Sequence, residues 1–334
     1  MTPVTQPQVR TVAIVGAGAM GGMYAAHFVA AGFDVRLVAS GDRADRLRAQ
    51  PLVVNGEPLA APVVDSAGSA GPGERAGPAD LVLIAVKDAQ LAEAVELLGP
   101  LMAEHTTVLS VLNGLDSEAA IAARYGAQRV LLCVAAGMDA RREGQRVTYR
   151  QAGRLMFGPA RVGESAPRVA AVQEALTRAG LAWTTPPDMR HTVWWKFMVN
   201  VGINQASAVL RAPYGAFQHD GPARDLMLAL QDEVVAVAHA EGIDLDRADL
   251  AAWDQVLAGQ PVDGWTSTLQ DVEAGRPTEV EMFAGRVVGL GAEHGIHTPY
   301  NQAILWILRD RAARAPLRPS SGLGGEGAGP VAAG

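Results

Sequence analysis

The stretch TVAIVGAGAMGGMYAAHFVAA (11–31) limits what this chain can become more than any other. A short β-rich run, TVAIVG, leads into Gly16-Ala17-Gly18-Ala19-Met20-Gly21 and then into a helical pattern from Met20 to Ala31. In a GxGxxG so placed, the first glycine permits a tight turn, the second lets the backbone approach a pyrophosphate, and the third lets helix and strand pack closely. The helix N-terminus then faces the phosphates with free N–H groups. Strand, glycines and helix in this order predict a dinucleotide-binding βαβ unit. A GxGxxG by itself, in a chain this rich in glycine and alanine, would also fit a mere tight turn. Residues 13–33 carry no formal charge and approach the length of a membrane span. Their clustered glycines, and the acid-rich remainder with no second such run, argue instead for no membrane segment and no targeting signal.

The first half continues to alternate. DVRLVA (34–39), DLVLIAV (80–86), TVLSVL (107–112) and VLLCVAA (130–136) read as strands, with helices over about 89–99 and 117–125. DLVLIAV is apolar throughout, as befits a parallel strand covered on both faces. Asn55-Gly56, between apolar residues in LVVNGEPL, predicts a hairpin. GSAGPGERAGP (68–78) reads as a flexible loop, and RVTYRQAGRLMFG and LAWTTP as later strands flanking a helix over 165–179. After Pro186-Pro187 the pattern turns helical, over 188–210, 220–241, 246–258, 264–274, 278–294 and about 300–313. The reading is an α/β chain: a Rossmann-type doubly wound parallel sheet in residues 1–186, an all-helical substrate and catalytic domain in 187–315, and a disordered Gly/Pro/Ala-rich tail in 316–334.

Charge and cysteine usage narrow the function. Lys and Arg number 28 against 35 Asp and Glu, a net charge of −7 without long runs, so no basic face for nucleic acid is expected. The single cysteine, Cys133, cannot form an internal disulfide, which fits a cytoplasmic protein. In its apolar run it reads as a small buried hydrophobe. His294 and His297 lie three apart, but HGIHTP reads as a helix end and turn, so no metal is expected. There is no GxSxG, and Cys133 lacks an evident catalytic partner.

One later helix asks for a special explanation. HTVWWKFMVNVGINQ (191–205) is apolar almost all round, yet Lys196, Asn200 and Asn204 recur every four residues and so share one stripe. A lysine among apolar groups has its charged form disfavoured, which moves its pKa towards working pH and suits a general acid. Trp194 and Trp195 are expected to supply those surroundings. Asparagine amides can orient a carbonyl and a carboxylate without adding charge. The stripe would line a cleft facing the nucleotide domain; the alternative is a snorkelling lysine with amides on a wet seam. For cofactor choice, Asp34 lies roughly 20 residues past the first glycine, but it begins its strand, and the adenine ribose lies at the other end. The residues there are Ala39, Ser40, Gly41, Asp42 and Arg43. Ser40 and Arg43 favour a 2′-phosphate, hence NADP(H), while Asp42 could serve a 2′-hydroxyl or cap the next helix.

Together with AVKDAQ, LNGL, ARREG, TSTLQDVEAGRPTEVEMFAG and EHGIHTPYN, the glycine loop and WWKFMVNVGIN make residues 10–312 resemble the ketopantoate reductase (2-dehydropantoate 2-reductase) family. The lysine–amide helix and the segment around Glu279 are the specific motifs. The resemblance implies NADPH-dependent reduction of ketopantoate to pantoate in pantothenate and coenzyme A biosynthesis, with hydride from nicotinamide C4 and a proton from Lys196. It further implies that Asn200, Asn204 and Ser267 bind the substrate. Glu279 would lie beside lysine, cofactor and substrate, and Asn113 would touch both ligands. Lys87 and the backbone at Ala140 would lie near the cofactor, and a homodimer is left open. By residue chemistry, Glu279 cannot be separated from Glu281, since acids in a first helical turn simply complement the dipole, and Ser267 could be a surface serine. Two departures matter: Ser40 stands where the family commonly has arginine, and Tyr214 where some members bind substrate through asparagine. Two rivals stay open, a reductase of another branched 2-oxo acid and a non-catalytic NADP(H) sensor.

Overall fold

The computed structural model describes residues 8–66, 76–161 and 163–314, so most of the expected loop at 68–78 and all of the expected tail at 316–334 lie outside the described residues. The chain runs β1 (Thr11–Val15), α1 (Ala19–Ala30), β2 (Asp34–Ala39), α2 (Gly41–Ala49), β3 (Val53–Val54), β4 (Glu57–Pro58), β5 (Val63–Asp65), β6 (Leu81–Ile84), α3 (Leu91–Leu97), β7 (Thr107–Ser110) and α4 (Ser117–Tyr125). It continues with β8 (Val130–Met138), β9 (Arg141–Glu143), β10 (Arg146–Thr148), β11 (Ala152–Gly158), α5 (Ala166–Arg178) and β12 (Ala182–Thr184). From there the regular elements are helical: α6 (Met189–Val199), α7 (Gln205–Leu210), α8 (Pro222–Ala240), α9 (Arg247–Ala258), α10 (Ser267–Glu273), α11 (Arg286–His294) and α12 (Pro299–Arg314). No described helix is long and apolar enough to cross a membrane.

The main sheet has the order β12-β11-β8-β7-β6-β1-β2-β5. Its neighbours are parallel except β8 and β11, an antiparallel join in a sheet expected to be parallel throughout. β1 is an interior strand between β6 and β2, and Val12, Ala13, Ile14 and Val15 are buried, because both faces are covered. One core takes Met23, Phe28, Leu47, Val172 and Leu176 from α1, α2 and α5, the other Ala94, Val95 and Ile121 from α3 and α4. From β1 the chain steps to β2 on one side and returns to β6 on the other. That reversal opens a crevice beyond the carboxyl ends of β1 and β6, where open α/β sheets bind ligands.

RVTYRQAGRLMFG divides between two sheets. β10 joins a small sheet of order β4-β3-β10-β9, whereas β11 joins the main one. The Asp139 carboxylate fastens the bend between them, accepting from the N–H groups of Arg150 and Gln151 at 2.9 and 2.8 Å. β5 and β9 were not expected; three residues are too few for a periodic signal. Asn55-Gly56 makes the hairpin between β3 and β4, with φ of 48° and 94° as a type I′ turn requires.

The helix expected over 188–210 is not continuous. A π turn, Asn200–Asn204, separates α6 from α7, and a second one, Glu281–Gly285, precedes α11. At Gly202 the helix meets α8 so closely that a Cβ would stand 2.5 Å from Gln231 Cγ. Buried Gln205 joins the two π turns: its Nε2 donates to the Val201 carbonyl at 3.1 Å, and its Oε1 accepts from the Ala284 N–H at 3.0 Å. Backbone groups freed by a widened turn thus find partners within the helical core.

Candidate active site

The nucleotide wall is shaped by what its glycines lack. Gly16 adopts φ 103°, and a Cβ there would lie 2.7 Å from the Ala85 carbonyl carbon. A Cβ on Gly21 would collide with the Gly16 carbonyl oxygen, so α1 can cross β1 closely only with glycine here. At Gly18 the nearest atom to such a Cβ is the Ala85 oxygen, 3.8 Å away, which leaves an open face. Ala19 and Met20 then begin α1, whose first N–H groups point out of the same loop. A closed turn beside an open face and a helix N-terminus suits a pyrophosphate. Lys87 follows β6, Asn113 follows β7, and half-buried Ala140 sits between β8 and β9.

At the ribose end, Asp34 lies at the far end of β2 and pairs with Arg36 at 2.7 Å. Ser40 is not free: its hydroxyl donates to Glu93 Oε1 at 3.2 Å. Asp42 is exposed in the first turn of α2, and Arg43 lies one residue further.

Across the crevice, Trp194 and Phe197 of α6 pack edge-on at 5.8 Å between centroids, and Phe197 in turn lies 6.3 Å from Phe283 of the second π turn. Trp195 donates its indole N–H to the Asp249 carbonyl at 3.1 Å. Trp195 thus anchors the helix to α9, while Trp194 lies buried in the helical core, because consecutive helical residues point in different directions. Half-buried Lys196 has no hydrogen bond or ion pair among the described residues. Burial pushes its pKa down to about 8.

One hydrogen-bonded chain spans both walls. Asn200 Nδ2 donates to Asn113 Oδ1 at 3.3 Å, and Asn113 Nδ2 donates to Glu279 Oε2 at 3.1 Å. Lys87 Nζ lies 4.0 Å from Glu279 Oε1 and 3.5 Å from Asp271 Oδ2. Glu281, which sequence chemistry could not separate from Glu279, turns outward to a two-pronged pair with Arg309 at 2.6 and 2.7 Å. Asn204 is buried, and exposed Ser267 opens α10. The preceding Thr266 caps α10 and donates to Ser207 of α7 at 3.2 Å, which ties α10 to the helix following Asn204. The structure thus joins Asn113, Asn200, Glu279 and Lys87 directly. Lys196, Asn204 and Ser267 lie on neighbouring elements without a bond to that chain.

Several residues that hold the candidate site together carry little or no local sequence signal. Asp271 is buried, holds Lys87 and pairs with Arg276 at 2.7 Å; its place one turn after Ser267 was the available signal. Glu93 and Gln205 gave no signal, since each acts on a residue distant in sequence. Arg142, within ARREG, donates from Nη1 to the Ala17 carbonyl in the glycine loop, a contact across 125 residues that no local pattern signals. Cys133 is buried and its thiol is pushed well up by that burial, which leaves it protonated and inert. His294 pairs with Glu241 at 2.6 Å.

Residues 12–161 match the family model described as ketopantoate reductase PanE/ApbA, and residues 188–312 match that of its C-terminal part. A 2-dehydropantoate 2-reductase of Mesorhizobium japonicum is 29% identical over 89% of this chain and 96% of its own length. The crystal structure of 2-dehydropantoate 2-reductase from Geobacter metallireducens is 28% identical, with a TM-score of 0.75 over 90% of this chain and 99% of that one. The ternary structure of D-mandelate dehydrogenase with NADH and anilino(oxo)acetate shares the fold at 20% identity, with a TM-score of 0.79 over 92% of this chain and all of that one.

Proposed function

The chain belongs to the ketopantoate reductase family, and from that premise we propose that it reduces 2-dehydropantoate to pantoate with NADPH, serving pantothenate and coenzyme A biosynthesis. Residues 1–186 then hold the dinucleotide, and residues 187–315 supply the substrate contacts and the proton. The observation that carries the reading is Lys196, without a polar partner among the described residues, one helical turn before Asn200 of a hydrogen-bonded chain that joins the two walls through Asn200, Asn113 and Glu279. Gly16, Ala17, Gly18, Ala19, Met20 and Gly21 would hold the pyrophosphate, with Lys87, Asn113, Ala140 and Glu279 along the rest of the cofactor.

The nicotinamide, when bound, supplies a hydride to the keto carbon. Lys196 holds the matching proton at Nζ and gives it to the keto oxygen as negative charge develops there. Its depressed pKa makes that transfer easier than from an ordinary ammonium, while the group stays charged at neutral pH. Asn200 and Asn204 orient the keto acid with neutral amides, and Ser267 can hold its distal hydroxyl. Glu279 and Asp271 fix Lys87, and through Asn113 Glu279 also fixes Asn200, so one acid serves both walls.

NADPH oxidation measured against ketopantoate, pyruvate and 2-oxoisovalerate tests this reading. Ketopantoate is expected to give the highest kcat/KM, because a site built to bond a hydroxyl rejects analogues lacking it. Equal efficiency with 2-oxoisovalerate would instead make the enzyme a reductase of other branched 2-oxo acids, and no turnover of any 2-oxo acid would leave a nucleotide-binding sensor.

A further inference from the structure

Arg43, Arg46, Leu47 and Gln50 share one face of α2 and its end, and they look across at the β9–β10 hairpin. With Arg142, Gly144 and Gln145 they line a pocket of about 300 Å³, and no carboxylate is among its lining residues. Arg142 is fixed there by three acceptors: the Gly144 carbonyl at 2.8 Å, Gln145 Oε1 and the Ala17 carbonyl. Gln145 is itself held, donating to the Gln50 carbonyl at 2.7 Å. Burial, and then the nearby Arg43 cation, hold the Arg142 guanidinium below its usual pKa. Among the described residues, neither Arg43 nor Arg46 has an ion pair, whereas Arg48 on the same helix pairs with Asp45 at 3.1 Å. Three guanidinium groups around one pocket repel each other, and among the described residues no carboxylate lines the pocket to compensate them. A phosphate monoester would, since it carries close to two negative charges and accepts paired N–H bonds from arginine.

The position of the pocket selects which phosphate. It borders Ala17, between the first two glycines, and α2, which leaves the ribose end of β2. Lys87 and Asn113, at the ends of β6 and β7, mark the opposite, nicotinamide end. Ser40, the residue at the strand end, already donates to an acid, Glu93. We infer that Arg43, Arg46 and Arg142 together receive the 2′-phosphate of the adenine ribose, in place of a residue at the end of β2. Arg142 also ties that pocket to the glycine loop, so phosphate recognition and pyrophosphate binding share one side chain.

This assignment rests on the reading of the chain as a reductase that uses NADPH, and its test needs no 2-oxo acid. Calorimetric titration of the full chain with adenosine 2′,5′-bisphosphate and with 5′-AMP isolates the 2′-phosphate. The bisphosphate should bind at least about tenfold more tightly, the scale of hydrogen bonds to a charged group. Arg43→Gln and Arg46→Gln should each remove most of that ratio, and the double variant should bring it to about one. Arg46 is exposed and Arg43 half-buried, and neither makes an ion pair among the described residues, so an unchanged melting temperature is expected, and Arg142→Lys should keep part of the ratio. Ser40→Ala should change it less than about twofold. A wild-type ratio of one, or a ratio that survives the double variant and collapses in Ser40→Ala, overturns the assignment. Lost ketopantoate turnover with intact arginine dependence would remove the substrate reading alone; intact turnover without arginine dependence would remove this assignment alone.

Discussion

The nucleotide wall is shaped by the side chains that Gly16, Gly18 and Gly21 lack, whereas the helical wall is built from the side chains that Lys196, Asn200 and Glu279 carry. The first wall is set by backbone approach within some 70 residues of chain, from the loop to Ala85. The second depends on two π turns, a buried glutamine between them and an asparagine contributed by the opposite wall. A backbone-built site can be disturbed only by adding atoms, and a side-chain-built site by removing them. Binding and chemistry should therefore separate cleanly between the two walls under substitution.

The largest separation is expected from Lys196→Ala. Turnover should fall at least about 100-fold, the usual scale for a positioned general acid, while NADPH affinity changes less than about twofold. Near-normal turnover would take Lys196 out of the mechanism and break the comparison. The mirror experiment is Gly18→Ala, where the fold has room for a methyl group but a bound pyrophosphate would not. Cofactor Kd should rise about tenfold with the melting temperature unchanged and kcat at saturating cofactor retained. A fall in kcat instead would show that the glycine loop also positions the reacting atoms.

Acidity sharpens the distinction. As the proposed proton donor Lys196 must be charged, and burial lowers its pKa to about 8. Reduction should be flat below about pH 8 and should fall about tenfold per pH unit above it, as the ammonium is lost. The residual rate of Lys196→Ala should lack that limb, and a pH profile identical in both proteins would assign the ionisation elsewhere. The smallest effect should come from Glu281→Gln, which breaks an exposed pair with Arg309. Activity should be unaltered and the melting temperature shifted by less than about 2 °C. Glu279→Gln, two residues away, should lower kcat about tenfold, because Asn113 and Lys87 lose a charged partner. Equal losses in the two variants would mean that the outward and inward acids are not distinguished as the structure places them.

Local pattern determined a great deal about this protein. The glycine loop, the apolar strands around it and the helical second half were legible because each signal lies within one element: a period of two or 3.6, a turn residue, a glycine spacing. The lysine–amide stripe was legible for the same reason, as was the dislocation of Asp34 from the ribose end of its strand. Tertiary structure decided what those periodicities are blind to. Glu279 and Glu281 have the same chemistry in sequence, and only the partners Asn113 and Arg309, drawn from distant segments, separate them. The π turns arise where Gly202 is pressed against α8 and Gln205 bridges to Ala284, contacts spanning 29 and 79 residues that leave no trace in a local pattern. Ser40 looked free until Glu93 was placed beside it, and Arg142 looked ordinary until the small sheet laid it over Ala17. A residue's type and spacing state what it can do; which charges and acceptors it meets depends on long-range closure of the chain, and that closure is settled by packing of the whole core.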